Sequence, residues 1–365
     1  MARLTFWGDF KANSVEHLNL SGELQLLLNG SDINVVNFEA PVRSKGKAIR
    51  KSGPNIKQSI DAPGWIEERG FNLVSLANNH MLDYGKKGLE TTRNSFKKAK
   101  TIGAGNWEEA FQIQKFTTND GLTIGILAGT HCEFGTLVDK YTDDEGCAWC
   151  QHPMFEKLIR EKKDVDFLIV YNHAGVEYMD APLPEWREVY KKWIDLGADA
   201  VIASHPHVPQ GWEYYNDKLI MYSLGNFCFQ KDQIVHDHWC QSLCCIMDVK
   251  DSSNVAIQIK PIAYDPKSQY LYEDESETTK SHLDYLKQLI SDEKNYYEYV
   301  NTTVMKLYPS YQGLFTRSGW LNNVASKSFL KGVYERFKKE HAYNCINCES
   351  HRWAITRAMR LKYKI

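Results

Sequence analysis

Short apolar runs rich in β-branched residues alternate with amphipathic stretches through the first 205 residues of the chain. This alternation is typical of βα units whose strands form a largely buried sheet. The runs predict strands at 4–7, 33–38, 73–77, 122–128, 167–171 and 200–203. The stretches between them predict helices at 60–69, 86–101, 152–163 and 184–196. The sequence therefore predicts an α/β fold.

After residue 205 the pattern changes to closely spaced strands that leave no room for helices between them. These strands are predicted at 218–224, 242–249 and 255–264. A two-sheet α/β sandwich accommodates them better than one doubly wound sheet. From residue 266 onward the chain is rich in Lys, Glu, Tyr and Asn and shows helical periodicity. We therefore predict a main domain over residues 1–265 and a helical C-terminal appendage over residues 266–365.

Charge and hydropathy exclude several classes of protein. The 44 Lys and Arg residues nearly balance the 46 Asp and Glu residues, which gives a net charge of −2 with neutral histidines. No overall basic field attracts nucleic acid, so no nucleic-acid partner is expected. No apolar run approaches the ~18–20 residues of a transmembrane segment, and the start MARLTFWGDF lacks the features of a signal peptide. Nine cysteines are few for a disulfide scaffold, so we predict reduced thiols in a cytoplasmic protein.

Polar side chains follow six of the predicted strands at the point where each strand ends. They are carboxylates, imidazoles and carboxamides, namely Asp9, Asn37, Glu39, Asn78, Asn79, His80, Asn172, His173, His205, His207 and Asn226. In α/β folds the loops beyond the carboxyl ends of strands converge on one crevice, where ligands bind. All three types of side chain bind Zn, Mn or Fe.

Each of these residues alone is more often a turn cap than a metal ligand. Turn capping explains polar residues at six strand ends less well than one shared site does. The pair His205 and His207 is further evidence for such a site. The intervening Pro206 holds its own φ at about −65° and stiffens the loop that carries both imidazoles. The pattern therefore favours a metal-dependent site over a coincidence of turn caps.

Seven short motifs occur in order between residue 4 and about residue 229, namely FWGDF, NFEAPV, LANNHMLDYG, GAG, HAGVEY, SHPHVPQ and YSLGNFCF. LANNHMLDYG and YSLGNF are specific strings, whereas each of the other motifs is weak alone. The ordered set resembles the CapA-type proteins of capsule and poly-γ-glutamate biosynthesis. The fold of that family is similar to the fold of calcineurin-like metallophosphoesterases. The resemblance therefore implies a metallophosphatase-like two-sheet αββα sandwich, and it does not extend to the C-terminal appendage.

The resemblance also implies a centre that binds two divalent transition-metal ions, of Mn, Fe or Zn. Two such ions share a bridging carboxylate and clamp a phosphoryl group. Asp9 and His207 would hold the first ion, and Glu39 would bridge both ions. The second ion would be completed by Asn79, His173 and His205.

The same resemblance implies catalytic and substrate-binding residues. His80 would lie above the ions as a general acid or phosphate contact, and Asp83 would orient it. Asn79 and His80 are adjacent at a strand end, where consecutive side chains diverge, so the two are not expected to bind one ion. Asp83 is expected to keep the His80 imidazole protonated near neutral pH. The residues that would line the site and bind substrate are Asn78, Glu177 and Asn226.

The first motif departs from the metallophosphoesterase pattern. Those enzymes usually carry Asp-x-His there, whereas Asp9 is followed by Phe10 and Lys11. The first ion would therefore lack one imidazole, as in CapA relatives generally. Lys11 is interpreted as solvated, with a contact to an anionic substrate group as the alternative.

Two Cys-x-x-Cys pairs lie far apart in the chain, Cys147 with Cys150 and Cys345 with Cys348. Joined in space, they would form a Cys₄ zinc site that ties the C-terminal segment to the main domain. Unrelated buried or surface thiols are the favoured interpretation, because the pairs lack the tight spacing of a zinc ribbon.

Residues and resemblance together predict a metal-dependent hydrolase that acts on a phosphoester in the synthesis of capsule or another cell-surface polymer. Its substrate would be an anionic small molecule or polymer. Two alternatives stay open: hydrolysis or transfer of an amide in a glutamate polymer, and a non-catalytic assembly factor that binds polymer or metal only. The oligomeric state also stays open, with a homo-oligomer among the alternatives.

Overall fold

The apolar runs of the sequence become the central strands of two sheets that pack face to face. The computed structural model describes residues 1–162, 164–315 and 331–364. Within these residues the strands form a larger sheet of nine strands, a smaller sheet of six strands and a short sheet of three strands.

The larger sheet combines parallel strands from the start of the chain with antiparallel strands from residues 241–273. In the order in which they pair, its strands are Asn19–Leu20, Tyr270–Glu273, Asn254–Asp265, Gln241–Asp251, Ala2–Lys11, Ile33–Phe38, Leu73–Ser75 and Lys100–Ile102. The short strand Cys228–Phe229 pairs with the end of Ala2–Lys11, where Phe10 lies opposite Cys228. Because Ala2–Lys11, Ile33–Phe38 and Leu73–Ser75 are parallel, their carboxyl ends lie at one edge.

The smaller sheet has four parallel strands at its centre. In pairing order its strands are Trp212–Tyr215, Lys218–Met221, Ala200–Ser204, Phe167–His173, Thr123–Thr130 and Gln114–Thr117. Fully buried strands such as Phe167–His173 are apolar along most of their length, which is typical of a parallel sheet covered on both faces. The short sheet consists of Ala104–Gly105, Gly146–Ala148 and Thr136–Leu137.

Helices cover the outer faces of both large sheets. Their bounds are Gly22–Asn29, Ala62–Glu68, Gly85–Ser95, Trp107–Ala110, Pro153–Glu161, Pro184–Leu196, Glu277–Ser291, Glu293–Phe315, Lys331–Asn347 and Glu349–Tyr363. Pro184–Leu196 begins with a proline in its first turn and ends at Gly197, whose φ of 120° few other residues adopt.

Three apolar cores define the layers of the molecule. Leu4, Phe6 and Val35 of the larger sheet pack with Ile126 and Ile169 of the smaller sheet in the core between the sheets. A second core lies between the larger sheet and its helices, and a third lies between the smaller sheet and its helices. This helix–sheet–sheet–helix order is the metallophosphatase-like αββα sandwich, so the predicted fold class is confirmed.

Two predicted elements differ from those observed. The helix predicted at 86–101 ends at Ser95, because Phe96 is extended and Lys100–Ile102 pairs with Leu73–Ser75 as an edge strand. The region predicted to be helical from residue 266 first forms the strand Tyr270–Glu273, which adds to the larger sheet. Backbone pairing with neighbouring strands outweighs local propensity at both places.

The C-terminal helices pack directly on the smaller sheet's helical layer. Tyr296, Val300 and Val304 of Glu293–Phe315 share one core with Ala354 and Ala358 of the final helix. The same core contains the tryptophans of Pro184–Leu196. The division at residue 265 stays a prediction. Over the part of the chain that is described, no helix combines the length and the apolar character of a membrane span.

Candidate dinuclear metal centre

Loops from both large sheets meet at one edge of the sandwich, and a close backbone crossing holds two of them together. The backbone amide of Asp9 donates to the carbonyl oxygen of Gly225 at 2.9 Å. A Cβ atom on Gly8 would lie 1.9 Å from that same oxygen. Only glycine therefore fits at position 8, and the crossing fixes the carboxylate of Asp9 beside the other strand ends.

Asp9, Glu39 and His207 form the first group of candidate ligands, with one ligand atom of each within 4.8 Å of the others. The Nε2 atom of His207 lies 3.7 Å from Oε1 of Glu39. Its Nδ1 atom lies 2.9 Å from Oδ1 of Asn226. When Nδ1 donates its hydrogen to that oxygen, the lone pair of Nε2 faces Glu39.

Glu39, His173 and His205 form the second group, again within 4.8 Å of one another. Nε2 of His173 lies 3.7 Å from the same Oε1 of Glu39 and 3.1 Å from Nδ1 of His205. Oδ1 of Asn79 lies 3.1 Å from that Nε2 atom. One carboxylate oxygen of Glu39 therefore faces imidazoles of both groups.

Both carboxylate oxygens of Glu39 are fully buried and have no hydrogen-bond partner among the described residues. Burial raises the pKa of Glu39 well above its usual range, and the nearby charge of Asp9 raises it further. Burying an ionised carboxylate without partners costs on the order of several kcal/mol, as it does for any ion, unless a cation compensates its charge. A cation bound between the two groups would therefore compensate the charge of this carboxylate.

The surroundings of the two histidines in the second group favour their neutral form. Burial lowers the pKa of His205 well below its usual value, and the neighbouring His131 adds to the effect. Burial is also the largest cause that lowers the pKa of His173. Neutral imidazole is the form of histidine that binds metal ions.

The backbone around the centre carries conformations that non-glycine residues rarely adopt. The φ angles are 102° at Ala40, 103° at His205 and 60° at His207. Such strain costs on the order of 1–3 kcal/mol per residue and concentrates at functional sites. At these positions it aims the side chains of Glu39, His205 and His207 at one point.

The donor set therefore fits two divalent transition-metal ions. Both groups share the carboxylate of Glu39, and each adds imidazole nitrogen. The Asp9 carboxylate completes one group, and the Asn79 carboxamide lies beside the other. The structure brings all six predicted ligands together: Asp9, Glu39, Asn79, His173, His205 and His207. Their assignment as ligands stays a prediction.

Asn78 and Asn226, which were predicted to bind substrate, form hydrogen bonds with the backbone and side chains around the candidate ligands. Asn78 is buried, donates to Asn37 Oδ1 at 3.2 Å and accepts from the backbone amide of His80 at 3.3 Å. Asn226 is buried, and its Nδ2 donates to the carbonyl oxygens of His207 and Trp239 at 3.0 Å. These hydrogen bonds hold both carboxamides in place, and a role of the two residues in substrate binding stays a prediction.

Asn37 is a site residue to which the sequence assigned no role. Its Nδ2 donates to Asp9 Oδ1 at 2.6 Å and lies 3.0 Å from Nδ1 of His173. It thereby positions one candidate ligand from each sheet. Its place at the end of Ile33–Phe38, two residues before Glu39, was the only signal in the sequence.

His80 and Asp83 lie together beside the centre, as the sequence predicts. Nδ1 of His80 lies 2.7 Å from Oδ2 of Asp83. A third residue that the sequence did not indicate, Lys51, forms a buried ion pair with Asp83, and its Nζ lies 3.1 Å from Nδ1 of His80. No motif marks Lys51, which lies in the long loop before Ala62–Glu68.

Lys51 affects the protonation of His80. Burial lowers the pKa of His80, the charge of Lys51 lowers it further, and Asp83 only partly offsets these effects. These effects work against the expectation that Asp83 keeps this imidazole protonated near neutral pH, which stays a prediction. Asp83 divides its carboxylate between the lysine and the histidine.

Replacing Lys51 with Met is expected to lower the free energy of unfolding by about 3–5 kcal/mol, because Asp83 is then left as a buried, unpaired charge. The side chains of Lys51 and Asp83 are 2% and 0% exposed. Urea denaturation of the full chain measures the effect. Lys87→Met is the matched control, because its ion pair with Glu90 is exposed and little change is expected. Equal midpoints for both variants would contradict the role of the buried pair.

A cleft of about 450 Å³ opens beside the centre. His80 and His207 lie on its wall together with the exposed Glu177, which was predicted to line the site. Lysines also line this cleft, namely Lys11, Lys57 and Lys231. Lys11 is not solvated as interpreted from the sequence, because its Nζ donates to Asn13 and to the carbonyl oxygen of Gln230 at 2.6 and 3.0 Å.

The cysteine pairs do not assemble into a Cys₄ site within the described ranges. Cys147 is buried beside the larger sheet, and its thiol donates to the carbonyl oxygens of Leu76 and Asn78 at 3.4 Å. Cys348 lies elsewhere, with its sulfur 3.7 Å from Nδ1 of His131. All nine cysteines are free thiols.

An αββα sandwich that gathers carboxylates, imidazoles and a carboxamide at one edge defines a metallophosphatase-like protein. The family model described as bacterial capsule synthesis protein PGA_cap matches residues 4–231. The chain belongs to this family. The matched segment includes every candidate ligand of the dinuclear centre and ends before the C-terminal helices.

Three curated relatives illustrate the similarity. The chain is 34% identical over 216 residues to "Capsule biosynthesis protein CapA" of Bacillus anthracis, which covers 56% of this chain and 52% of that protein. It is 31% identical over 214 residues to "PGA biosynthesis protein CapA" of Bacillus subtilis (strain 168), which covers 56% of this chain and 55% of that protein. It is 23% identical over 209 residues to a "Probable polyglutamine synthesis accessory protein" of Mycobacterium tuberculosis, with 54% and 55% covered. The chain spans about half the length of these relatives.

Proposed function

We propose that this protein is a metal-dependent hydrolase that acts on a phosphoester in the synthesis of capsule or another cell-surface polymer. The observation that carries the proposal is the shared, partnerless carboxylate of Glu39 between two groups of candidate ligands. Membership of the capsule synthesis family supports the biological setting. The relatives named for capsule biosynthesis and for PGA biosynthesis support the class of polymer.

Each part of the candidate ligand set has a defined task in this proposal. Asp9, Glu39 and His207 would hold one ion, and Glu39 with His173, His205 and Asn79 would hold the other. Two such ions of Mn, Fe or Zn would activate a water molecule and neutralise charge on a phosphoryl group. Asn37 and Asn226 fix the orientation of the ligands through the hydrogen bonds described above.

His80 is placed to act on the substrate. Its Nδ1 atom is engaged by Asp83, and the side chain lines the cleft, which leaves Nε2 for the substrate. We propose that His80, in its protonated form, donates from Nε2 to the leaving oxygen, with Asp83 as its positioning residue at Nδ1. Lys51 holds the Asp83 carboxylate in place through their buried ion pair.

The cleft favours an anionic substrate. Lys57 and Lys231 line it, and each ammonium group lies over an aromatic ring, Tyr84 at 5.0 Å and Trp239 at 4.9 Å. Cations at the mouth of a cleft raise the local concentration of anionic ligands. A phosphorylated precursor or an anionic polymer end meets this requirement.

Two alternatives use the same site differently. Hydrolysis or transfer of an amide in a glutamate polymer needs the same ions, with a carboxamide in place of the phosphoester. A non-catalytic assembly factor needs only to bind polymer or metal, and the word "accessory" in the name of the mycobacterial relative supports this alternative.

A substrate screen separates the three proposals. Full-length protein loaded with Mn²⁺, Fe²⁺ or Zn²⁺ is assayed against a panel of phosphoesters and against γ-glutamyl peptides, with Glu39→Gln as the inactive control. Phosphoester hydrolysis that Glu39→Gln abolishes is the expected result. Cleavage of γ-glutamyl peptides alone would support the amide alternative. No turnover by a fully metal-loaded protein would overturn the hydrolase and favour the assembly factor.

A further inference from the structure

A second cluster of metal-binding side chains lies next to the candidate dinuclear centre and is separate from it. His131, Glu133 and Cys348 each place one ligand atom within 4.8 Å of the others. His131 and Glu133 follow the strand Thr123–Thr130, whereas Cys348 is the N-cap residue of the final helix. Cys348 lies beyond residues 4–231, which the family model matches.

His351, in the first turn of the final helix, lies outside this group of three but faces Glu133 and is a fourth candidate ligand. Its Nε2 atom lies 3.8 Å from Oε1 of Glu133. Its Nδ1 atom lies 2.9 Å from the hydroxyl of Tyr311, which fixes the ring. Histidine ligands commonly use their second nitrogen in this way, to hold the first nitrogen toward the ion. Cys348 and His351 thus form a Cys-x-x-His pair on one helical turn.

The orientation of the His131 ring suits a metal ligand. Its Nδ1 atom lies 3.0 Å from Oγ of Ser350, and that oxygen also accepts a hydrogen bond from Nε1 of Trp186 at 3.0 Å. A hydroxyl oxygen has two lone pairs, so it can accept from both rings. When His131 carries its hydrogen on Nδ1, the lone pair of Nε2 faces Glu133.

The Nε2 atom of His131 is buried and has no hydrogen-bond partner in the described structure. It lies 3.8 Å from Oε1 of Glu133, which is too long for a hydrogen bond. Ligands about 2.0–2.3 Å from a tetrahedral ion lie about 3.3–3.8 Å apart. Oε1 of Glu133 lies at this spacing from both His131 and His351.

We propose that His131, Glu133, Cys348 and His351 form an additional site for a thiophilic divalent cation of the zinc class. A thiolate, two imidazoles and a carboxylate are a ligand set that Zn²⁺ accepts in tetrahedral geometry. Cys345 of the second Cys-x-x-Cys pair is not a member of this ligand group, so the site is not the Cys₄ site considered from the sequence.

The position of the site defines its role as a structural clamp. Two ligands come from the segment that the family model matches, and two come from the final helix outside it. The ion therefore ties the C-terminal helix to the loop after Thr123–Thr130. His131 also contacts His205, with ring centroids 4.4 Å apart, so the clamp supports one wall of the dinuclear centre.

Cobalt spectroscopy of the full chain tests this site without any activity assay. The candidate ligands of the dinuclear centre include no cysteine, so a thiolate-to-cobalt charge-transfer band in the near ultraviolet reports the additional site alone. We expect the band when Co²⁺ is added to metal-free wild type, and we expect Zn²⁺ to displace it. Cys348→Ser is expected to lose the band. Cys240→Ser, a half-buried thiol outside the cluster, is expected to keep it.

A second variant keeps the test decisive if Cys348→Ser does not fold. The side chain of His351 is 32% exposed, so His351→Gln is tolerated sterically. This variant is expected to keep the thiolate band but to bind Co²⁺ more weakly by at least about tenfold. Absence of the band in wild type, persistence of the band in folded Cys348→Ser, or unchanged affinity in His351→Gln would each overturn the site. None of these results depends on hydrolysis by the dinuclear centre.

Discussion

Glu39→Gln is expected to empty the candidate dinuclear centre, so that the protein loses up to two ions per chain and its hydrolytic activity falls to the metal-free background. Glu39 belongs to both groups of candidate ligands, and its Oε1 atom lies 3.7 Å from imidazoles of each. The carboxamide of glutamine is uncharged and cannot bridge two cations as a carboxylate does. Elemental analysis of wild type and variant measures the loss.

Two controls show whether the loss is specific. Glu177→Gln removes an exposed carboxylate at the same cleft and is expected to leave the metal content unchanged. After chelation of all metal, Glu39→Gln is expected to be at least as stable as wild type to urea, because it removes a buried carboxylate that lacks partners. Equal metal content in wild type and Glu39→Gln would contradict the proposed centre.

His80→Ala is expected to lower the turnover number by about 10²–10⁴ while the metal content stays near that of wild type. His80 lines the cleft, its Nδ1 atom is held by Asp83, and it is not a member of either ligand group. The loss is expected to be smaller for a phosphoester with a good leaving group, such as nitrophenolate, because such a group needs less assistance from a proton donor.

Steady-state kinetics with a good and a poor leaving group, combined with elemental analysis, measure this prediction. Asp83→Asn is expected to show a smaller loss of turnover, together with reduced stability, because Lys51 then lacks its buried partner. If His80→Ala empties the dinuclear centre, the residue is a ligand and its catalytic role is wrong. If the loss is the same for both leaving groups, His80 positions substrate rather than assisting departure.

Much of the fold was predictable because strands of the central sheets are encoded locally. The run at residues 33–38 is apolar at four of its six positions, and it forms the buried strand Ile33–Phe38. Short runs rich in β-branched residues are typical of strands in a sheet covered on both faces. The helix predicted at 86–101 was too long, since pairing of Lys100–Ile102 with Leu73–Ser75 is a non-local interaction that periodicity does not report.

The candidate ligands were predictable for a related reason. In a parallel arrangement the end of each strand is brought to the same edge, so Asp9, Glu39 and His173 could be grouped before any coordinates were known. The hydrogen bonds of Asn78 and Asn226 were not predictable, because they depend on which backbone carbonyls and amides lie beside each side chain. Lys51 was missed because no motif near it in the sequence indicates an ion pair with Asp83, which lies 32 residues later.

The sequence by itself determined the αββα class, the strand ends that carry polar side chains and the membership of the capsule synthesis family. These properties follow from local apolar patterning and from short ordered motifs. Only the tertiary structure decided that Lys51 reaches the His80 imidazole and that Cys348 and His351 reach Glu133. His131 and Cys348 are 217 residues apart. Their approach depends on how the final helix packs on the smaller sheet's outer layer, and burial of Ala354 and Ala358 in that shared core drives the packing.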